Sequence, residues 1–150
     1  PQADIVMLGA RRKGNGNTRD VLAGMEWIAK NQQEYQIRLL KFPLECFQAR
    51  ESGEQQELLS AVDDLWDRGI MVVAAAGNNG PKDNSVTIPG ISRKIVTIGS
   101  SDDGKSEPGK RGLKTGYSSN GPTACCIVKP EILAPGTAIK SCGREKTDTR

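Results

Sequence analysis

The chain has 150 residues, enough for one modest domain, and its 21 basic and 18 acidic residues leave a net charge of +3. Because these charges are scattered, the composition indicates neither a nucleic-acid-binding nor a membrane-surface protein. The longest apolar run, residues 70–76, is far shorter than the roughly 20 residues that span a bilayer. The chain has no histidine, so alone it cannot run a Ser-His-Asp or Cys-His relay.

The first predicted elements are a strand, a helix and a second strand. Residues 3–8 form a short apolar run that predicts a buried strand. Residues 37–42 are strand-like and end at Pro43. Thr18 can cap the helix between them, whose apolar residues recur at helical spacing: Val21, Leu22, Met25, Ile28 and Ala29.

A second predicted helix and further predicted strands follow. Residues 48–56 are polar and predict a surface excursion, residues 95–98 and 131–134 predict short strands, and residues 143–150 predict a flexible end. Residues 70–76 are apolar without alternation, as in a strand buried on both faces of a parallel sheet. The helix before that run ends at Gly69, and its apolar face contains Leu58, Leu59, Val62, Leu65 and Trp66.

This order of elements predicts an α/β fold, with a mostly parallel sheet and helices on both faces. Ligands of such sheets bind beyond the carboxyl ends of the strands. The loops after Phe42 and after Ala76 lie at those ends, so we expect the functional site there.

Two local motifs come close to known signatures and fail. Residues 9–16 lack the Lys that a phosphate loop requires after its second glycine, and they lack the full G-x-G-x-x-G pattern. An unrelated Rossmann-like binding domain is therefore disfavoured, and no cofactor is predicted. Residues 116–120 match a nucleophile elbow except at Asn120, and Gly121-Pro122 does not favour the helix that should follow, which argues against Ser118 as a nucleophile.

No metal site is predicted either. The cysteines lack C-x-x-C spacing, and no histidine is present to complete a zinc set. Because Cys125 and Cys126 are adjacent, buried or free thiols are favoured over an internal disulfide. The cysteine pattern therefore indicates neither an oxidising nor a reducing compartment. The four cysteines are Cys46, Cys125, Cys126 and Cys142.

The most informative local feature is residues 74–80. Small residues at the end of a buried strand allow another chain to approach closely, and Gly77 frees the backbone. Asn78 then offers a side-chain amide at the carboxyl edge of the sheet, where its NH₂ group can donate to a developing oxyanion. On this local pattern alone, an ordinary Asn-Gly turn is the favoured interpretation.

Five segments, taken together and in order, resemble the subtilisin-like serine proteases over residues 3–141. They are the helix at residues 21–28, the strand and oxyanion-asparagine loop at 72–80, the next loop and strand at 88–102, the F-S-S-x-G-P-like stretch at 117–122, and the K-P-D-I-x-A-P-G-like stretch at 129–136. The resemblance identifies residues 1–150 as the central part of a single subtilisin-like peptidase domain.

The resemblance implies a serine endopeptidase that cleaves peptide or protein substrates through an acyl-enzyme, without a cofactor. Asn78 would be the side-chain donor of the oxyanion hole. In the family the catalytic aspartate and histidine precede the stretch matching Pro1, and the serine follows the stretch matching Arg150. The substrate pocket would be walled by Ala74, Ala75, Ala76, Gly77, Thr87 and Gly90.

Residues 41–45 depart from the family pattern N-x-S-L-G. Pro43 lacks an N–H and is poorly placed for pairing with a substrate backbone, whereas Leu44 and Glu45 fall on the substrate-binding stretch. Glu45 replaces a glycine whose emptiness helps to form the pocket. Either the pocket is rebuilt for a basic side chain, or the protein is a non-catalytic regulatory or peptide-binding relative.

Three further points come with the resemblance. Glu131 resembles the position of a weak cation site in some relatives, but most ligands of that site are backbone carbonyls, so a metal site at Glu131 is disfavoured. A typical secreted member would lie outside the cell or in the cell envelope. The segment lacks the strand and helix that carry the aspartate and histidine in the family, so we expect a bare sheet edge and association of the isolated chain.

Overall fold

A computed structural model describes residues 3–9, 17–44, 52–101, 116–137 and 139. These residues form one parallel sheet with its strands in chain order, together with one helix before the first strand and one helix between the first and second strands. The α/β architecture predicted from the sequence is confirmed. The elements are α1 (Thr18–Asn31), β1 (Leu39–Phe42), α2 (Ser52–Asp67), β2 (Met71–Ala75), β3 (Val96–Ser100) and β4 (Ile132–Ala134).

Helix α1 begins at Thr18, and its N-cap lies one residue before the predicted one. Asn17, not Thr18, is the N-cap: its backbone is extended and its side-chain oxygen accepts a 2.7 Å hydrogen bond from the Asp20 amide. Thr18 is the first helical residue, so the predicted cap is wrong by one position. The predicted apolar stripe is confirmed, because the buried residues of α1 are Val21, Met25 and Ile28.

Helix α2 begins at Ser52, so residues 52–56 of the surface excursion predicted for residues 48–56 are helical, whereas residues 48–51 lie outside the described residues. None of residues 53–57 is buried, and a polar first turn at the surface resembles a loop in sequence. Gly69 ends the helical segment as predicted. Its φ of +84° is favourable for glycine, and the Ile70 amide donates to the Leu65 carbonyl at 3.0 Å.

The core lies between α2 and one face of the sheet. Val72 and Ala74 of β2 are buried there, whereas Met71 is 48% exposed and Val73 is partly buried. The prediction that residues 70–76 are buried on both faces therefore holds only in part, because the described helix α2 packs on the side of Val72. The helical residues buried in this cluster are Val21, Met25, Ile28, Leu58, Val62 and Leu65.

The strand predicted at residues 3–8 is wrong. Residues 3–9 form no strand and all of them are exposed, with Ile5 81% and Met7 88% accessible. An apolar run becomes a strand only when a neighbouring strand supplies hydrogen-bond partners. None of the four strands of the described sheet pairs with it.

An ion pair between a buried lysine and a partly exposed glutamate joins the segment before β4 to β3. The Lys129 side chain is fully buried, and its Nζ lies 2.5 Å from Glu131 Oε1 and donates to the Ile95 carbonyl at 2.9 Å. Glu131 Oε2 accepts from the Thr97 amide at 2.8 Å. By contrast, Lys94 pairs with Asp67 at the surface, and this hydrogen bond raises the pKa of Lys94 above its usual value. Neither described helix is long and apolar enough to cross a membrane.

Candidate functional site

A cleft of about 250 Å³ opens at the carboxyl edge of the sheet, where β2, β3 and β4 end side by side. We call it the carboxyl-edge cleft. It lies where ligands of parallel sheets bind. Its lining comprises Pro43 and residues 75–78, 98–100, 117–118 and 134–136.

The loop that follows β2 turns sharply at this cleft. The Ala76 amide donates to the Ile98 carbonyl at 2.9 Å, which keeps the chain paired with β3 for one residue beyond β2. Gly77 then adopts a φ of +111°, a conformation that side-chain-bearing residues rarely take. Asn78 follows, exposed and lining the cleft, as the sequence predicts for an amide donor at this edge.

A second segment, residues 117–119, runs behind this loop. The Ser119 amide donates to the Gly77 carbonyl at 3.0 Å, and the Gly80 amide donates to the Tyr117 carbonyl at 2.9 Å. The Ser119 hydroxyl accepts from the Asn79 amide at 3.0 Å. Three hydrogen bonds therefore fix the backbone on both sides of Asn78.

The structure brings together part of the predicted pocket. Ala75, Ala76, Gly77 and Asn78 line the cleft, whereas Ala74 lies in the core cluster on the α2 side, because alternate residues of a strand face opposite ways. Thr87 lies behind Gly77, with its amide donating to the Ala76 carbonyl at 2.9 Å.

The other predicted pocket residues lie away from the cleft lining. The Gly90 carbonyl accepts from the Thr97 hydroxyl at 2.7 Å and is buried. Leu44 follows β1 and is 37% exposed. Glu45 lies outside the described residues.

Sequence reasoning missed the roles of Tyr117, Ser118 and Ser119. Their Y-S-S-N-G-P stretch carries part of the family resemblance, but a linear motif does not show which loop it contacts. Ser118 is buried and its hydroxyl accepts from the Ser100 amide at 2.9 Å, so it ties this segment to β3. Pro43 was considered only for its missing N–H, yet it lines the cleft.

Glu131, which resembles the position of a weak cation site in some relatives, is already engaged by protein groups. Its carboxylate pairs with Lys129 and accepts from the Thr97 amide, so its charge is balanced by protein groups. In the described part of the chain, no cluster of three or more His, Cys, Asp or Glu residues could hold a metal ion. Cys125 and Cys126 are free and exposed.

Comparisons with known proteins agree on one family. The family model for the subtilase family matches residues 1–149. The serine protease AprX of Bacillus subtilis (strain 168) is 34% identical over 146 residues, which cover 94% of this chain and 33% of AprX. Pyrolysin of Pyrococcus furiosus is 28% identical over 167 residues, covering 94% of this chain and 11% of pyrolysin. The chain thus spans a third or less of the length of these relatives.

Solved structures share the fold. A psychrophilic protease has a TM-score of 0.58 and 25% identity, covering 83% of this chain and 40% of its own. Sphericase has a TM-score of 0.59 and 22% identity, covering 82% of this chain and 40% of its own.

Proposed function

Because the chain belongs to the subtilase family, we propose that it supplies the oxyanion hole and substrate-pocket elements of a serine endopeptidase. This enzyme hydrolyses peptide bonds of peptides or proteins through an acyl-enzyme. The chain has no histidine, so the general base comes from outside these 150 residues. In the family the aspartate and the nucleophilic serine also lie outside the matching stretch.

The position of Asn78 carries this proposal. It follows a buried strand at the carboxyl edge of the sheet, in a loop whose backbone is hydrogen-bonded on both sides, and it lines the cleft. As a serine attacks a peptide carbonyl, negative charge grows on the carbonyl oxygen. A fixed side-chain amide stabilises that charge more in the transition state than in the bound substrate.

The pocket for the side chain that precedes the scissile bond follows from the same placement. Ala75, Ala76 and Gly77 line the cleft with small or absent side chains, which leaves room for a substrate backbone. A Cβ at Gly77 would lie 2.7 Å from the Thr87 hydroxyl, so a side chain at this position would push against Thr87. We assign these residues and Gly90, whose backbone contacts Thr97, to the substrate-binding region.

The test is Asn78→Ala in the full-length protein that carries this chain, with kcat and KM measured on a fluorogenic peptide. We expect kcat to fall by roughly 10²–10³-fold, the range known for the oxyanion-hole asparagine of subtilisin itself. KM should change little, because the lost hydrogen bond is weak in the ground state.

Asn79→Ala is the matched control, because it removes a neighbouring amide side chain and keeps the hydrogen bond from the residue 79 backbone amide to the Ser119 hydroxyl. We expect it to lower kcat far less. If both variants keep kcat within a few-fold of the unmodified protein, Asn78 is only a turn residue, and a non-catalytic role for this fold is favoured instead.

A further inference from the structure

Ser119 lies outside the Asn78 loop, and its side chain is hydrogen-bonded to that loop's backbone next to Asn78. It is fully buried, and it makes two bonds to the loop. Its amide donates to the carbonyl of Gly77, before Asn78, and its hydroxyl accepts from the amide of Asn79, after Asn78. One residue therefore holds both peptide groups that flank Asn78.

The Asn78 loop and segment 117–119 pack closely against each other. A Cβ on Gly77 would lie 2.9 Å from Ser119 Oγ, and a Cβ on Gly80 would lie 1.7 Å from the Ser118 carbonyl oxygen. Side-chain-bearing residues at either position would force the segments apart. The glycines thus permit the close approach that brings the Ser119 hydroxyl within hydrogen-bond distance of Asn79.

Segment 117–119 is itself anchored to the sheet. The Ser118 hydroxyl accepts from the Ser100 amide at the end of β3, so the segment is tied to the carboxyl edge. A rigid support behind a catalytic donor matters, because a misplacement of about 1 Å can cost on the order of a hundredfold in rate.

We propose that Ser119 is a positioning residue for the oxyanion donor: its hydroxyl, acting through the Asn79 amide, sets where the Asn78 side chain points. This inference rests on the proposed endopeptidase function and extends it to a residue that does not touch the substrate. Removing the hydroxyl leaves the Asn79 amide without this acceptor. The loop can then rotate so that the amide hydrogen-bonds to water, which would move the Asn78 side chain.

Ser119→Ala in the full-length protein should lower kcat by about tenfold, less than the roughly hundredfold that a misplacement of about 1 Å can cost, because the Asn78 amide is still present and only less well positioned. KM should stay within about twofold, because the misplaced amide contributes chiefly in the transition state. Ser92→Ala is the matched control. It also removes a buried hydroxyl, bonded to Asp63 and Lys94, but lies before β3, at the opposite end of that strand from the cleft. We expect its kcat to equal that of the unmodified protein.

A double-mutant cycle separates positioning from general loosening. If Ser119 acts through Asn78, then Ser119→Ala in the Asn78→Ala background should lower kcat by less than about twofold further, because the donor is already gone. A full tenfold loss in that background would mean that Ser119 acts by another route, and the proposal would be wrong. Should Ser119→Ala fail to fold, Ser119→Cys, which is close in size and a weak acceptor, should give the same kinetic pattern.

The outcomes distinguish this inference from the proposed function. If Asn78→Ala lowers kcat but Ser119→Ala and Ser119→Cys leave it unchanged, only the positioning role is overturned. If Asn78→Ala leaves kcat unchanged, the oxyanion assignment falls, and the positioning role falls with it.

Discussion

The ion pair between the buried Lys129 and the partly exposed Glu131 gives a prediction about stability. Lys129 is fully buried, whereas the Glu131 side chain is 38% exposed. The two halves of the pair are therefore not equivalent. Removing the carboxylate leaves an ammonium that water does not reach, whereas removing the ammonium leaves a carboxylate that water can solvate.

Glu131→Gln should be the more costly change. The carboxylate accepts from Lys129 with one oxygen and from the Thr97 amide with the other, but glutamine has a single acceptor oxygen. Its NH₂ group must face one of the two donors. Breaking a buried pair in this way costs about 3–5 kcal/mol, and we expect the lower end because the partial exposure of Glu131 gives some solvent screening.

Lys129→Met should cost less. It keeps the length of the side chain but leaves the Ile95 carbonyl without this donor, a loss of about 1–3 kcal/mol. The orphaned carboxylate keeps the Thr97 amide and gains water, which limits the further cost. The double variant should be less destabilised than the sum of the two single variants, because the second change removes the group that the first left unpaired.

Urea unfolding at neutral pH, followed by the fluorescence of Trp27 and Trp66, measures these differences. Lys94→Met is the matched control: it removes the same charge from a pair whose side chains are 41% and 58% exposed, so it should change the free energy of unfolding little. If Lys129→Met destabilises the protein as much as Glu131→Gln does, the exposure difference does not decide the cost, and the reasoning is refuted.

Three other predictions concern activity, association and specificity. The 150-residue polypeptide alone should show no peptidase activity, since it has no histidine; turnover that survives repurification and is blocked by a serine-directed covalent inhibitor would contradict this. The isolated chain should associate, because Leu39, Met71 and Leu133 are about half exposed on the sheet; light scattering that shows a monomer over a wide concentration range would count against it. In the full-length protein, Glu45 should favour Lys or Arg before the scissile bond, and a peptide-library profile unchanged by Glu45→Gly would remove that idea.

The sequence was most informative where a residue's role depends on its own neighbours. The helical stripe from Val21 to Ile28 and the stop at Gly69 follow from local spacing and backbone preference, and both are confirmed. The start of α2 was misjudged because residues 53–57 are polar or small and none of them is buried. Residues 3–8 were misjudged because apolar character indicates burial without showing whether a partner strand is present.

In the candidate site, too, local sequence indicated some residues, whereas the roles of others depend on contacts between distant parts of the chain. The local pattern placed Asn78 at the carboxyl edge of the sheet, but it favoured an ordinary turn, and only the resemblance of several ordered segments singled Asn78 out as a candidate oxyanion donor. The role of Ser119 could not be found from the sequence, because it depends on two hydrogen bonds to a loop some 40 residues earlier. Lys129 was recognised only as part of a stretch that resembles the family. Its complete burial could not be predicted, because it depends on how β4 packs beside β3.

The distance along the chain between Asn79 and Ser119 also has a consequence for folding. A hydrogen bond that closes a loop of 40 residues forms only after the entropy cost of that closure has been met, and contacts of this kind slow folding. The helices can form from local contacts, but the loop that holds Asn78 acquires its shape only when segment 117–119 has docked beside β3. During refolding, helical circular dichroism should therefore recover before the Asn79 amide becomes protected from hydrogen exchange, and Asn78, the proposed oxyanion donor, should be among the last groups to reach its native position.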